Sequence, residues 1–169
     1  MLLYHPCFDC HHAAFRILQL LYQSNQTVFD IETIRILDFY LLFPSELVKL
    51  KFPQTLLAHK KDIKSLRNKY SDLENPNRVF QQLSPFQTGA IYALAAHGLV
   101  DIRPLHETKE VRRTNKAIPE EVLAAFQEKD AVHHKLVYFL ANELATIPLR
   151  GPNGLKDRSS LLDHRYDII

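Results

Sequence analysis

The segment from Asp30 to Phe43 constrains the fold of this chain most strongly. Its apolar residues recur at helical spacing and then surround the second half of the helix: Ile31, Ile34, Leu37 and Leu41, with Ile36, Phe39, Tyr40, Leu42 and Phe43 between them. A helix that is apolar nearly all round belongs at the centre of a core. Asp30 is a favoured N-cap residue, and Pro44 stops the helix. We therefore expect the other elements to pack around it.

Length and composition indicate one globular domain over residues 1–169. A chain of 169 residues can bury about 70% of its unfolded surface, so it needs neither disulfides nor a structural metal. Its 46% hydrophobic and 24% charged residues argue against intrinsic disorder. No signal sequence and no membrane-spanning apolar run is visible, so we expect a cytoplasmic protein without membrane contact. The net charge of +2 is too small to indicate nucleic-acid binding, so any basic patch must be local.

A capped helix followed by two strands is predicted in the second half of the chain. Residues Ser84–Gln87 read Ser-Pro-Phe-Gln, a capping box with proline at the first helical position, and Gly98 ends the helix in a left-handed conformation. The alternating pattern over 99–103 predicts a strand, and 110–114 predicts its return strand. The fold class is therefore mainly α with a small two-stranded β wing. We expect a winged helix-turn-helix core over about 30–116, flanked by helical extensions at 1–29 and 117–169.

Three further helices are predicted besides one that starts at Pro119, with Glu120 and Glu121 in its first turn. One spans about 9–22, and another spans about 131–145 with Leu136, Val137, Leu140 and Leu144 as its apolar stripe. The third covers 56–70, where Leu56, Ile63, Leu66 and Tyr70 share one face.

Two local basic segments are candidate contacts to DNA phosphates. The first is a stripe on the predicted helix 56–70 and consists of Lys60, Lys64 and Arg67. The second lies in the predicted wing and consists of Arg103, Lys109, Arg112 and Arg113. Such side chains bind the phosphate backbone without reading sequence. The alternative for each segment is an ordinary solvated face. The helix 84–97 offers only Gln87, Thr88 and His97 as polar side chains, which argues against specific base recognition.

The sequence contains no constellation typical of catalysis, metal binding or a cofactor. Cys7 and Cys10 form a C-x-x-C pair, but His11 and His12 follow too closely to complete a tetrahedral zinc site. The stretch 151–156 has the wrong spacing for a phosphate loop. We therefore expect a protein that is not an enzyme and holds no cofactor.

Four stretches of the chain resemble the middle component of bacterial ABC-three-component systems. The resemblance covers nearly the whole chain, from about Tyr4 to Ile169, and the four stretches are Phe8-Asp9…His12…Phe15-Arg16-Ile17-Leu18, the string Arg-Ile-Leu-Asp-Phe-Tyr-Leu-Leu-Phe-Pro at 35–44, Leu-Ala-Ala-His-Gly-Leu-Val-Asp at 94–101, and Gly151…Gly154-Leu155-Lys156-Asp157-Arg158…Arg165-Tyr166-Asp167. The second and fourth stretches carry most of the specificity. The Leu-Ala-Ala-x-Gly-Leu-Val part is generic to winged helices.

The resemblance implies a small non-catalytic adaptor in an anti-phage and anti-plasmid defence complex, with Lamassu as the branch. Its implied partners are an ABC ATPase of the SMC and DNA-repair type and an effector, often a nuclease. Non-specific double-stranded DNA within the complex is a further possible contact. The alternative function is a free winged-helix transcription regulator, which would bind a palindromic site as a homodimer.

The C-terminal tail contains the candidate partner contacts Arg165, Tyr166, Ile168 and Ile169. A free terminus normally frays, and an apolar ending is better explained by docking. The sequence leaves open whether the tail docks on its own domain or on a partner. Tyr166 is the expected anchor, because an aromatic ring buries a large area and keeps a polar group.

Overall fold

The computed structural model describes residues 5–162 and is mainly helical. The elements in chain order are α1 (Cys10–Gln23), β1 (Val28–Asp30), α2 (Ile31–Leu42), α3 (Lys60–Ser65), α4 (Pro76–Ala96), α5 (Ile102–Glu107), β2 (Glu110–Arg112), α6 (Glu120–Gln127), α7 (Ala131–Tyr138) and α8 (Leu155–Ser159). A π turn, Phe139–Glu143, continues α7. Short 3-10 turns fill much of the region between α2 and α4. None of the helices within 5–162 has the length and apolar composition needed to cross a bilayer.

Helix α2 lies at the centre of the core, as its sequence predicts. Asp30 caps it by accepting a hydrogen bond from the backbone N–H of Glu32, and all residues from 33 to 41 are buried. Phe39 packs edge-on against Phe80 of α4, with ring centroids 5.8 Å apart. The predicted helix over 9–22 is also confirmed, as α1, with Asp9 at its N-cap.

Two charged residues lie inside this apolar centre and join three helices. Asp38 of α2 accepts two hydrogen bonds from Arg16 of α1, at 2.7 and 3.1 Å. The side-chain amide of Gln87 on α4 donates to Asp38 at 2.9 Å and to the backbone carbonyl of Arg35 at 3.1 Å. Arg35 in turn pairs with Glu32 at 2.7 Å. We call these five residues the polar network.

The small sheet is antiparallel, but its pairing differs from the prediction. Strand β2 pairs with β1 in the register Val28↔Arg112, Phe29↔Val111 and Asp30↔Glu110. The return strand at 110–114 is therefore confirmed over Glu110–Arg112. The strand predicted over 99–103 was wrong: only Val100 bridges, to Arg113, and Ile102 begins α5. The physical reason is Asp101, whose carboxylate accepts from the N–H of Arg103 and starts a helix.

Helix α4 begins earlier than its sequence predicts. It starts at Pro76, where Asn75 caps the N–H of Arg78, and Pro85 lies in its interior. The predicted N-cap at Ser84 was therefore wrong. Proline removes one backbone hydrogen bond. The apolar face continues upstream through the fully buried Phe80 and Leu83, however, and this packing keeps the helix intact.

Gly98 ends α4 as predicted. Its φ is +74°, in the left-handed region. The N–H of Gly98 donates to the carbonyl of Ala95, and the N–H of Leu99 donates to that of Leu94, both at 2.9 Å. These two bonds define a Schellman motif, with the buried Leu94 and Leu99 as its apolar contact.

The predicted helix over 56–70 is broken into short pieces. Residues Gln54–His59 and Lys69–Ser71 form 3-10 turns, and only Lys60–Ser65 is α-helical. Leu56 and Ile63 are buried, as expected, but Tyr70 is fully exposed. The placement of Tyr70 on the core face was therefore wrong, because the helical register ends before that residue.

Candidate functional site: a basic helix beside an apolar groove

An open groove of about 610 Å³ lies between α3 and the chain running from α7 into the π turn. We call it the groove. Its lining is predominantly apolar and includes His59, Asp62, Ile63, Ser65 and Leu66 on one wall, with Val132, His134, Lys135, Leu136, Tyr138, Phe139 and Glu143 on the other, together with Gln23.

Buried aromatic and aliphatic side chains support the groove, and exposed ones edge it. The Phe139 ring lies 5.0 Å from the His59 ring and 6.3 Å from the Phe52 ring, centroid to centroid. By contrast, Val132 and Tyr138 remain 57% and 52% exposed. Exposed apolar side chains around an apolar depression are a recurrent feature of interaction sites.

The π turn ties the second wall of the groove to the end of α1. The Asn142 amide donates to the carbonyl of Gln23 at 3.0 Å and accepts from the N–H of Asn25 at 2.8 Å. The Ser24 hydroxyl donates to the carbonyl of Ala141 at 3.0 Å. A π turn is uncommon and is often found at functional sites. In this chain the hydrogen bonds of Ala141 and Asn142 to residues 23–25 hold the π turn, and with it this groove wall, against the end of α1.

The segments that form the groove are basic overall, but the charged side chains that line it are Asp62, Lys135 and Glu143. Residues 59–67 and 131–143 contain five basic side chains and two acidic ones: Lys60, Lys61, Lys64, Arg67 and Lys135 against Asp62 and Glu143. Lys60 and Lys64 of the predicted stripe lie on α3, whereas Arg67 follows the end of that helix at Ser65, and all three are exposed. Arg67 lies 3.5 Å from Asp72 in a solvent-exposed pair, which contributes little to stability.

The second predicted basic segment lies on other elements. Arg103 of α5, Lys109 and Arg112 are exposed, and Lys109 has a left-handed φ of +59° between α5 and β2. Arg113 is half-buried, and its guanidinium lies 5.3 Å from the centroid of the Tyr22 ring. Helix α5 and strand β2 pack on each other and on α4 and α2, respectively, whereas α3 packs on the turns at 44–49 and 54–59. The structure thus does not gather the two basic segments on one element.

The predicted tail contacts Arg165, Tyr166, Ile168 and Ile169 lie outside the described residues. The described chain ends at the buried Leu161 and Leu162. Just before them, Asn77 of α4 donates to the carbonyl of Ser160 at 2.8 Å. Both leucines are therefore anchored in the core.

Sequence reasoning missed two exposed groups. Val132 and Tyr138 fall off the predicted stripe of the helix 131–145, and an apolar residue off the core face is the signal that could have revealed the groove. Arg78, Gln81 and Gln82 are exposed at i, i+3 and i+4 on α4. They were outside the predicted helix, although Asn75-Pro76 is itself a helix-start signature.

The Cys7 thiol and the His133 imidazole have structural surroundings. Within residues 5–162, no three His, Cys, Asp or Glu side chains are grouped as a metal site. Burial raises the pKa of the Cys7 thiol. His133 lies 2.9 Å from the Gln19 side-chain oxygen, and burial, followed by the Lys129 charge, lowers the pKa of His133.

The family model of the ABC-three component (ABC-3C) system Middle Component 5 matches residues 2–167 of the chain. The chain therefore belongs to this family of middle components, which work with the other components of a multi-subunit system. No curated protein and no solved structure gives a significant match.

Proposed function

We propose that this chain is a non-catalytic adaptor in a Lamassu-type anti-phage and anti-plasmid defence complex. It bridges an SMC-like ABC ATPase and an effector, often a nuclease, and helps to control the effector until foreign DNA is sensed. Membership of the ABC-3C middle components carries this proposal. The groove with its exposed Val132 and Tyr138 supports it, since an adaptor needs an apolar surface left open for a partner.

The order of elements supports a winged-helix relationship for the core. Helix α1, strand β1 and helix α2 are followed, after the short α3, by α4, the bridging Val100, the short α5 and strand β2. The pairing of β1 with β2 closes one short sheet beside the helices. Winged-helix proteins include both DNA binders and protein-binding adaptors, so this relationship alone leaves the function to the surface residues.

We propose that any DNA contact is made to phosphates, within the assembled complex. The exposed cations Lys60, Lys64 and Arg67 support this, as do Arg103, Lys109, Arg112 and Arg113 on the other basic segment. Each phosphate contact that is removed should reduce the log–log salt slope by about 0.9. Within the helix 84–97, Gln87 is the one side chain with an amide that could read a base edge. That amide is buried in the polar network.

Co-purification tests the adaptor function. The tagged chain is produced together with the ATPase and effector encoded beside it, and we expect it to capture both components. The chain alone should neither hydrolyse ATP nor cleave DNA. Deleting residues 165–169 should weaken the capture if the tail docks on a partner. Failure of the intact chain to capture either component would eliminate the adaptor function.

A free transcription regulator is the second candidate function. Arg78, Gln81 and Gln82 favour it, because Arg and Gln read base edges and these three share one exposed face in the first half of α4. If the regulator is correct, the isolated chain should retard its own promoter DNA at moderate salt. The double variant Gln81→Ala, Gln82→Ala should then lose the preference for promoter over unrelated DNA.

A further inference from the structure

We propose that a small cavity between the end of α2 and α8 binds a phosphoryl group, either that of free phosphate or that of a nucleoside monophosphate. The cavity has a volume of about 200 Å³, and we call it the basic cavity. It shares no lining residue with the groove. Two features carry this proposal, which goes beyond the adaptor function: two cations without a balancing carboxylate and one buried hydroxyl without a hydrogen-bond partner.

The basic cavity has one acidic side chain in its lining, and that side chain is already paired. The titratable residues of the lining are Tyr40 of α2, Glu46 and Lys49 of the turn at 44–49, Lys51, and Arg158 of α8. The Lys49 ammonium lies 3.0 and 2.9 Å from the two carboxylate oxygens of Glu46. The same carboxylate accepts a hydrogen bond from the backbone N–H at position 73, at 3.0 Å. Lys51 and Arg158 therefore contribute positive charge that Glu46 does not balance.

Backbone hydrogen bonds hold Lys51 and Arg158 side by side. The Arg158 guanidinium donates from Nε to the carbonyl of Asn153 at 2.6 Å and from Nη1 to the carbonyl of Lys51 at 2.8 Å. These carbonyls orient the guanidinium but carry no net charge. Within residues 5–162, no ion pair joins Lys51 or Arg158 to an acidic side chain. Two like charges at one cavity repel, and an anion bound between them removes that cost.

Tyr40 adds a buried hydrogen-bond donor to the same cavity. The residue is 2% exposed, and its hydroxyl has no hydrogen-bond partner in the part of the chain that the structure describes. A buried hydroxyl that lacks a partner costs free energy. Burial, followed by the charge of Glu46, raises the pKa of Tyr40, so the hydroxyl keeps its proton at neutral pH. It can therefore donate to an anion, and such charge-assisted hydrogen bonds are strong.

Charge and size favour a phosphoryl group over other anions. A phosphomonoester carries a charge of about −1.5 to −2 at pH 7 and has three strong acceptor oxygens. It can balance both Lys51 and Arg158 and accept from Tyr40, whereas a carboxylate balances one cation only. The planar guanidinium of arginine also suits two parallel hydrogen bonds to phosphate. The cavity volume of about 200 Å³ is several times the roughly 30 Å³ of one water molecule, which is enough for a phosphoryl group.

Calorimetric titration of the full chain with inorganic phosphate and with AMP, at low ionic strength and pH 7.5, tests the site. We expect one molecule to bind per chain and acetate, with its single charge, to bind at least about tenfold more weakly. Tighter binding of inorganic phosphate would identify free phosphate as the ligand, and tighter binding of AMP would identify a nucleotide. If neither probe binds, or if acetate binds as tightly as the better probe, the proposal is wrong.

Two conservative variants test the residues. Lys51→Gln removes an exposed cation and Tyr40→Phe removes only a hydroxyl, so both should fold, which thermal melting checks. Each should weaken binding of the better probe by about tenfold. Lys156→Gln is the matched control, because it removes one positive charge from α8 outside the lining and should change the affinity by less than about twofold. Arg158 stays intact, since it also holds two backbone carbonyls.

Amide chemical shifts of the intact chain locate the ligand without any substitution. Phosphate should shift the amide signals of Lys51 and of residues 158–161 more than those of the groove. Shifts confined to other parts of the chain would overturn the proposal. Unchanged affinity in Lys51→Gln, or an equal loss in Lys51→Gln and Lys156→Gln, would also overturn it, because binding would then depend on overall charge and not on the basic cavity.

Discussion

The polar network and the groove show opposite ways of placing polar and apolar groups. In the network, charged side chains from α1 and α2 and the neutral Gln87 amide of α4 meet in the core, where Asp38 accepts hydrogen bonds from Arg16 and Gln87. In the groove, apolar side chains from α7 lie at the surface, and the charged side chains beside them are Asp62, Lys135 and Glu143. Burying a charge costs free energy unless it is paired, and exposing an apolar group forfeits the gain from its burial.

This difference separates residues that hold the fold from residues left free for binding. A buried ion pair loses much of the Coulombic gain to desolvation, but removing one partner is strongly destabilising. An exposed apolar side chain contributes little to the stability of the isolated chain. It contributes to the free energy of binding when a partner covers it. Substitutions in the network should therefore affect the folding of the isolated chain, and substitutions in the groove should affect its assembly.

The largest expected effect is at Asp38. Asp38→Ala leaves the Arg16 guanidinium and the Gln87 amide without their buried partner, so it should reduce the free energy of unfolding by about 3–5 kcal/mol. Urea denaturation measures the loss. The control is Asp72→Ala, which removes the exposed pair with Arg67 and should cost at most about 1 kcal/mol. Equal losses in the two variants would show that the network does not hold the fold.

A smaller loss is expected at the end of α4. Gly98→Ala forces an alanine to adopt a φ of +74°, which should cost roughly 1–2 kcal/mol. The added Cβ would lie 3.4 Å from the Lys116 side chain, an ordinary contact, so the cost comes from the backbone. Gly98→Asn is the control, because asparagine tolerates this conformation better. An equal loss for both variants in denaturation curves would contradict this explanation.

His133, which lies next to the groove, should make the free energy of unfolding depend on pH. Its pKa in the folded chain is lowered from 6.5 by burial, so the unfolded chain takes up a proton first as the pH falls. The free energy of unfolding should therefore decrease below a pH of about 6.5. His133→Gln cannot titrate and should reduce the difference in stability between about pH 7.5 and 5.5. An unchanged difference in His133→Gln would assign the pH dependence of stability to other groups.

The smallest expected effect on stability is in the groove itself. Tyr138→Ser removes a side chain that is 52% exposed, so the free energy of unfolding should change by no more than about 0.5 kcal/mol. The same variant should impair assembly with the partner component. Chemical denaturation and co-purification of one preparation give both results. A destabilisation as large as that of Asp38→Ala would place Tyr138 among the residues that hold the fold.

Local sequence patterns predicted the elements whose signals lie within a few residues. The apolar circumference of 31–42 indicated the central helix, and Gly98 indicated a left-handed helix end. The return strand at 110–112 also followed from its residues. These predictions hold because capping, backbone conformation and apolar periodicity act over one or two helical turns. The stretches that resemble the ABC-3C middle components were likewise visible in the sequence.

Only the tertiary structure decided which groups meet across the chain. Strand β2 pairs with β1, more than 80 positions away in the sequence, and not with the neighbouring segment at 99–103. Packing of Phe80 and Leu83 extends α4 past Pro85, although a local reading places a helix start there. The polar network and the groove each join segments from distant parts of the chain. No local pattern specifies such contacts, because their free energy depends on which surfaces remain to be buried once the helices have formed.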